Sequence, residues 1–176
     1  MARVHVWDPL VRVFHWAVVA SVAVAWFIGD RAVHEGAGYV AGGLVALRLL
    51  WGIIGPRYAR FAQFIRNPGT TLAYLRDIAA GNERRYLGHN PAGALMIVAL
   101  LLGLIGTVAT GYMMESDAFF GVEWVELLHR VFAYSVLALA AVHVLGVIVA
   151  SIRHRENLAA AMVTGRKRAA TPDDIA

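Results

Sequence analysis

A long apolar run over residues 123–152 constrains the fold more than any other stretch, because it carries two histidines. A helix of about 20 apolar residues is enough to cross the hydrocarbon core of a bilayer. His129 and His143 are fourteen residues apart, so on an α-helix they point about 40° apart and differ by about 21 Å in height. An ionisable side chain inside an apolar span is costly and normally faces a partner within the protein. We therefore expect the rest of the chain to supply partners at two depths.

The composition is that of an integral membrane protein. Hydrophobic residues make up 59% of the chain and charged residues 16%, whereas soluble domains carry about 25% charged residues. The pI near 9.8 would suggest nucleic-acid binding in a soluble chain, but here the basic residues flank apolar runs, so no nucleic-acid partner is expected. The chain has no cysteine, which excludes disulfides, cysteine-ligated iron–sulfur clusters and thioether-attached haem.

Three further apolar runs predict an all-α integral membrane protein, a bundle of four transmembrane helices. Asp8-Pro9 and Asn90-Pro91 are helix-start signals, since Asp or Asn caps a helix and Pro fits its first position. We expect one domain over residues 1–168 and a disordered tail over residues 169–176. The predicted spans are residues 9–29, 36–55, 92–114 and 123–152.

The positions of lysine and arginine predict the orientation of the spans. Nearly all of them lie before the first span, between the second and third spans, or after the fourth, against Arg31 and Arg130 on the opposite side. Basic residues near the ends of spans stay cytoplasmic. The sequence therefore predicts a multi-pass protein with both termini in the cytoplasm.

Two more histidines lie at depths that match the first two. His15 and His143 are each about two turns or more inside the cytoplasmic ends of their spans, and His34 and His129 stand near the outer starts of theirs. The four therefore form an inner and an outer pair. Two imidazoles from facing helices suit the axial positions of haem iron, whereas zinc or copper sites gather three or four ligands. For any one histidine, a hydrogen bond between helices is the alternative interpretation.

Three arginines are candidates for binding the anionic propionates of haem. Arg12 lies one turn before the first inner histidine, Arg48 reaches the inner level, and Arg130 follows an outer histidine. For Arg12 and Arg48, extension of the charged head group to the lipid surface stays open as an alternative, and for Arg130 an ordinary surface charge. The remaining histidines, His5, His89 and His154, fall outside the spans and are interpreted as surface residues. His89 is also a candidate neighbour of the inner pair.

The joint pattern of short motifs resembles a known family. The motifs are Trp7-Asp8-Pro9-Leu10-Val11-Arg12, Phe14-His15-Trp16, Val33-His34-Glu35, Leu47-Arg48-Leu49-Leu50-Trp51-Gly52, Gly88-His89-Asn90-Pro91, Leu128-His129-Arg130 and Val142-His143. Together they are similar to the bacterial cytochrome b561 family, which includes the cytochrome b subunits of membrane-bound nickel-iron hydrogenases. The resemblance covers nearly the whole chain, from Trp7 to Arg168.

The resemblance implies a cytochrome of the bacterial inner membrane that holds two non-covalent haem b groups and moves electrons across the bilayer. It implies exchange with the quinone pool of a respiratory chain, with ubiquinone as a candidate cofactor, and a periplasmic or membrane redox protein as a partner beside membrane lipid. The axial ligands of the family map onto His15, His34, His129 and His143. The compact chain has no long extra carboxyl-terminal segment, which disfavours a hydrogenase partner.

Two alternatives stay open beside a quinone-linked electron carrier. The outer haem could react directly with superoxide and pass the electron to quinone, which would make the chain an enzyme, although the acidic connection between the third and fourth spans disfavours an anion. The histidines could instead serve a non-redox scaffold or ion transporter as polar contacts or a proton relay.

Overall fold

The computed structural model describes residues 2–175 and is largely helical. Four helices are long and apolar enough, by length and composition, to cross a membrane. Shorter helices, a 3₁₀ turn and two short strands lie outside them. In chain order the elements are β1 Arg3–His5, α1 Pro9–Phe27, α2 Arg31–Ile54, the 3₁₀ turn Arg57–Ala59, α3 Phe61–Phe64, α4 Pro68–Ala80, α5 Pro91–Glu115, α6 Glu123–Arg153, α7 Leu158–Thr164 and β2 Arg166–Arg168.

The number of spans agrees with the prediction, but the chain is not purely four helices. Helices α3, α4 and α7 and the β1–β2 pair are additional elements outside the spans. The second span begins at Arg31 rather than at residue 36, because the Asp30 carboxylate accepts a hydrogen bond from the Val33 amide (2.9 Å) and caps the helix five residues earlier than expected.

Both predicted helix-start signals act as caps. The Asp8 carboxylate accepts hydrogen bonds from the amides of Leu10 (2.9 Å) and Val11 (3.2 Å) at the start of α1. The Asn90 side chain accepts from the amide of Gly93 (2.6 Å) at the start of α5. In each case a side chain satisfies amides that have no partner within the helix, so the local sequence is sufficient to set these two boundaries.

By internal packing the chain divides into two units. The first unit comprises the described residues of Met1–Arg12, Leu50–Val98 and Val142–Ala176, and the second comprises Val13–Leu49 and Ala99–Ala141. Each of the four long helices contributes residues to both units.

Glycines bring the helices of the second unit close together. A Cβ atom added at Gly106 of α5 would lie 2.6 Å from ring carbons of Phe132 of α6. One added at Gly42 of α2 would lie 2.9 Å from Val108 of α5. Small residues that permit such approaches are typical of helix packing in membranes. These contacts hold α2, α5 and α6 together around the outer histidines.

In the first unit, the segments near both chain ends pack against each other. Strands β1 and β2 pair antiparallel, with Val4 opposite Lys167. A small apolar core beneath them joins the amino-terminal segment, the residues before α5 and helix α7. Its buried members are Val6, Trp7, Leu87 and Ala161.

The carboxyl-terminal segment predicted to be disordered is bound along residues 85–87. The Ile175 amide donates to the Arg85 carbonyl, and the Leu87 amide donates to the Ile175 carbonyl, each at 2.8 Å. The buried Arg85 guanidinium pairs with Asp174 (2.6 Å) and with Glu156 (3.0 Å). A buried arginine requires carboxylate partners, and the tail supplies one of them. Ala176, the last residue of the predicted tail, and Met1, the first of the predicted domain, lie outside the described residues.

Candidate functional site

His34 and His129 face each other within the second unit. His34 lies in the first turn of α2 and His129 in the second turn of α6. Their ring centroids are 6.1 Å apart and the ring planes make an angle of 67°. The outer pair predicted from helix geometry is therefore brought together.

Both rings are fixed by backbone carbonyls through the same nitrogen. His34 Nδ1 lies 2.9 Å from the Ala25 carbonyl oxygen, and His129 Nδ1 lies 3.0 Å from the Thr107 carbonyl oxygen. A carbonyl oxygen only accepts hydrogen bonds, so this network assigns the proton of each neutral ring to Nδ1. Nε2 then keeps its lone pair, which is the arrangement found in histidines that bind a metal.

The spacing of the two rings fits one metal atom between them. Bonds from imidazole nitrogen to metal are about 2 Å long, so two such ligands on opposite sides of one atom hold their nitrogens about 4 Å apart. Centroids separated by 6.1 Å would leave about that distance between two Nε2 atoms that face each other, once each ring's own radius of roughly 1 Å is allowed for. In residues 2–175, no group of three or more His, Asp or Glu side chains is placed to hold a metal ion. Two imidazoles from facing helices suit a haem iron.

A cavity beside the two histidines has room for a large flat group. It measures about 1190 Å³ and is lined by residues of α1, α2, α5 and α6, against roughly 300–1,000 Å³ for typical small-molecule sites. Its α2 wall includes five small residues, Ala37, Gly38, Ala41, Gly42 and Gly43. A Cβ added at Gly38 or Gly43 would meet no atom within 4 Å, so both glycines border open space. The two imidazoles and the open space beside these glycines together fit a haem.

The inner histidines fall in different units and are described separately. His15 lies in α1 in the second unit, half-buried, with its ring edge-to-face against Trp16 at 4.9 Å. His143 lies in α6 in the first unit and is also half-buried. Both are on spans, as predicted.

The family is decided by a match that runs almost the full length of the chain. The family model described as prokaryotic cytochrome b561 matches residues 6–165. The chain belongs to the prokaryotic cytochrome b561 family. It is accordingly a multi-pass membrane cytochrome of the b type, which binds haem b and transfers electrons. No curated protein and no solved structure matches the chain.

The three arginines predicted to bind haem in this cytochrome have different surroundings. Arg12 donates from Nη1 to the Val163 carbonyl (2.6 Å) in the last turn of α7, a position that favours a cation. Arg48 is 3% exposed within the second unit. Arg130 is exposed and lines the cavity beside the outer histidines. Of the three, only Arg130 is placed by these contacts beside the His34–His129 pair.

A second arginine at the cavity, Arg31, was not among the predicted propionate ligands. Arg31 lines the cavity and forms an ion pair with Glu35, four residues further along α2. The sequence interpretation placed it in a turn before the second span. The signal was the Asp30 cap, which brings Arg31 into the same helical turn as His34.

His89 is not the surface residue that its position outside the spans suggested. Its ring packs between Trp7, at a centroid distance of 4.5 Å, and Phe64, at 4.6 Å. His5 is exposed, as expected, and accepts a hydrogen bond from Arg166 (3.3 Å). The b561 chain therefore holds one further imidazole, that of His89, in an aromatic setting within the first unit.

Proposed function

We propose that this cytochrome b561 family member holds two b-type haems and carries electrons across the bacterial inner membrane, to or from the quinone pool. His34 and His129 would hold the outer haem, and His15 and His143 the inner one. The observation that carries the proposal is the outer pair, in which each Nδ1 donates to a backbone carbonyl and the rings stand 6.1 Å apart.

The inner haem is supported by the positions of its two histidines along the spans. His15 lies about 1.7 turns from the start of α1, His143 lies about 2.8 turns from the end of α6, and each is half-buried. On one helix, His143 and His129 are separated by about 21 Å. Two haems at such heights would let an electron cross the bilayer in two steps.

When bound, haem supplies the reversible one-electron carrier, and the chain tunes it. The carbonyl partners of His34 and His129 hold the tautomer that leaves Nε2 as the ligand and increase its basicity. Arg31 and Arg130 are the cations at the outer cavity that suit the haem propionates. Burial among the apolar spans then shifts the reduction potential through the low local dielectric.

The charge distribution supports cytoplasmic termini. Thirteen of the sixteen lysines and arginines belong to the first unit, which contains both chain ends, and three belong to the second. Basic residues are retained on the cytoplasmic side of bacterial spans. The two chain ends would therefore lie on the cytoplasmic side.

Haem stoichiometry in single-ligand variants tests the proposal. We expect two haems b per chain by pyridine haemochrome, and one after His129→Ala or His143→Ala, with different remaining spectra in the two variants. His5→Ala, a matched change at an exposed histidine, should keep both. Full haem content in His129→Ala or His143→Ala would refute the ligand assignment.

Mixing with a ubiquinol analogue tests the quinone step separately. We expect a reduced haem spectrum within the stopped-flow time range for the two-haem protein and a smaller amplitude in His143→Ala. If quinol leaves both haems oxidised although their potentials permit reduction, the quinone link is wrong while the haem assignment stands.

A further inference from the structure

The two units carry opposite charge. From the sequence, the first unit has a formal charge of +7 and the second a charge of −3, with histidines taken as neutral. The second unit contains three arginines, one of which, Arg48, is buried. Charge asymmetry of this size within one small chain produces a field that extends to approaching molecules.

The acidic residues of the second unit lie at the end where α1 meets α2 and α5 meets α6. The cavity is lined by residues at the start of α2 and in the α5–α6 connection. The Tyr39 hydroxyl of α2 donates to the Glu115 carboxylate of α5, which links these two helices. Arg31 and Arg130 are the two arginines in this part, and Arg31 is paired with Glu35. We name the six acids the acidic rim: Asp30, Glu35, Glu115, Asp117, Glu123 and Glu126.

Exposed aromatic side chains stand among these acids. Phe120, in the α5–α6 connection, is 70% exposed and also lines the cavity beside the outer histidines. Trp124, in the first turn of α6, is 51% exposed and packs edge-to-face with Phe119 at 5.9 Å. Aromatic residues at the centre and charged residues around them are the arrangement of protein interfaces.

We infer that the acidic rim, together with the exposed side chains of Phe120 and Trp124, is a docking surface for a soluble redox protein with a basic face. The inference rests on the proposed function, because it supplies the outer haem with its electron partner. Phe120 joins the surface to the cavity, so a partner docked there stands over the His34–His129 site. The exchange moves one electron between the two metal centres, one oxidised as the other is reduced, and makes or breaks no bond.

The same charge selects against anionic reactants. A surface with six carboxylates and two arginines repels superoxide and attracts a cationic partner, with effects on association rates of about 10- to 1,000-fold at low salt. The outer site is thereby suited to protein electron transfer, and the superoxide reaction is disfavoured.

Stopped-flow oxidation by a basic c-type cytochrome tests the docking surface. The detergent-purified holoprotein is reduced, separated from reductant and mixed with the oxidised cytochrome, so that each electron lost by the chain reduces one cytochrome. We expect the second-order rate to fall at least tenfold between about 10 and 200 mM salt, because exposed charges are screened within a Debye length of about 8 Å at physiological salt. Ferricyanide, an anionic oxidant, should show a flat or rising rate over the same range.

Matched variants locate the effect. Asp117→Asn together with Glu123→Gln should slow the cytochrome reaction about five- to tenfold at low salt and leave it unchanged at 0.5 M salt, roughly where screening is nearly complete. Asp77→Asn, at an exposed carboxylate of α4 in the first unit, should stay within about twofold of the parent, as expected for a charge outside the interface.

The two levels of proposal fail in different ways. Haem content is measured for every preparation. If the parent protein, without substitutions, contains no outer haem, the proposed function is refuted. Full haem content with no slowing in the double variant would refute the docking surface alone. Slowing that persists at 0.5 M salt would also refute it, because the variants would then act through structure rather than charge.

Discussion

Among the glycines of the second unit, Gly106 has the least space for a side chain, and it gives a prediction of definite sign. Replacing Gly106 with alanine adds a methyl group where ring carbons of Phe132 already lie 2.6 to 2.7 Å away. Real Cβ atoms do not approach so closely, so α5 and α6 must separate or the ring must leave its rotamer. Overpacking of this kind costs about 1–3 kcal/mol. The change also removes a helical glycine, which stabilises the helix by about 0.5–1 kcal/mol.

The balance for Gly106→Ala is a net destabilisation of up to about 2 kcal/mol. For a chain of this size, that corresponds to an apparent Tm lower by roughly 4–8 °C. Gly146→Ala is the matched control, because a Cβ at Gly146 of α6 meets no atom within 4 Å. It should leave the apparent Tm unchanged or raise it by about 1–4 °C.

The assay is thermal unfolding of the two variants and the parent in the same detergent at one scan rate, because unfolding of membrane proteins is often irreversible. Since Phe132 is one turn from His129 on α6, Gly106→Ala should also lower haem retention during heating. Equal Tm shifts in the two variants would refute the reasoning from close packing.

Three further predictions address the cavity of the second unit and the packed chain ends of the first unit. Gly43→Ala places a methyl group in the open cavity. It should leave the apoprotein as stable as the parent but lower outer-haem content about tenfold. Unchanged haem affinity by titration would show that the cavity is not the haem site. Burial lowers the pKa of Lys167 from 10.5 to about 8, partly opposed by Glu156, so between those pH values the unfolded chain binds one more proton and the free energy of unfolding rises with pH. The gain from pH 8 to 10 should be about 2 kcal/mol in the parent and absent in Lys167→Arg, and equal pH profiles would contradict the assignment. Arg85→Met should destabilise the first unit by about 3–5 kcal/mol, because it leaves Glu156 and Asp174 buried without their guanidinium; proteolysis of the tail at the parent's rate would contradict this.

Short sequence motifs predicted the helix starts that depend only on contacts between neighbouring residues. The caps at Asp8 and Asn90 depend on one side chain and amides two or three residues away, so the sequence shows them directly. The Asp30 cap has the same physics and was missed because the apolar pattern of α2 begins later. The bound tail was missed because its partner, Arg85, is 89 residues from Asp174 in the chain.

At the candidate site too, the sequence predicted which residues lie close together but not the backbone atoms that they contact. The positions of His34 and His129 near the outer starts of their spans predicted that they lie at a similar depth, because the rise per residue along a helix is fixed. The acceptors that orient the rings were not predictable, since they are the carbonyls of Ala25 and Thr107 and every residue carries a carbonyl. Arg31 was recognisable only after the start of α2 was known.

The carbonyl partners of His34 and His129 belong to α1 and α5, helices that contribute neither imidazole of this pair. Peptide oxygens are the same in every side-chain variant, so substitution at Ala25 or Thr107 cannot delete either acceptor. At His129 the Thr110 hydroxyl, 3.2 Å from Nδ1, is a second contact that mutation can remove, whereas the backbone contact at His34 moves only with the α1 main chain. Natural variation in the side chains of α1 can therefore retune the site while the acceptor for the His34 imidazole stays in place.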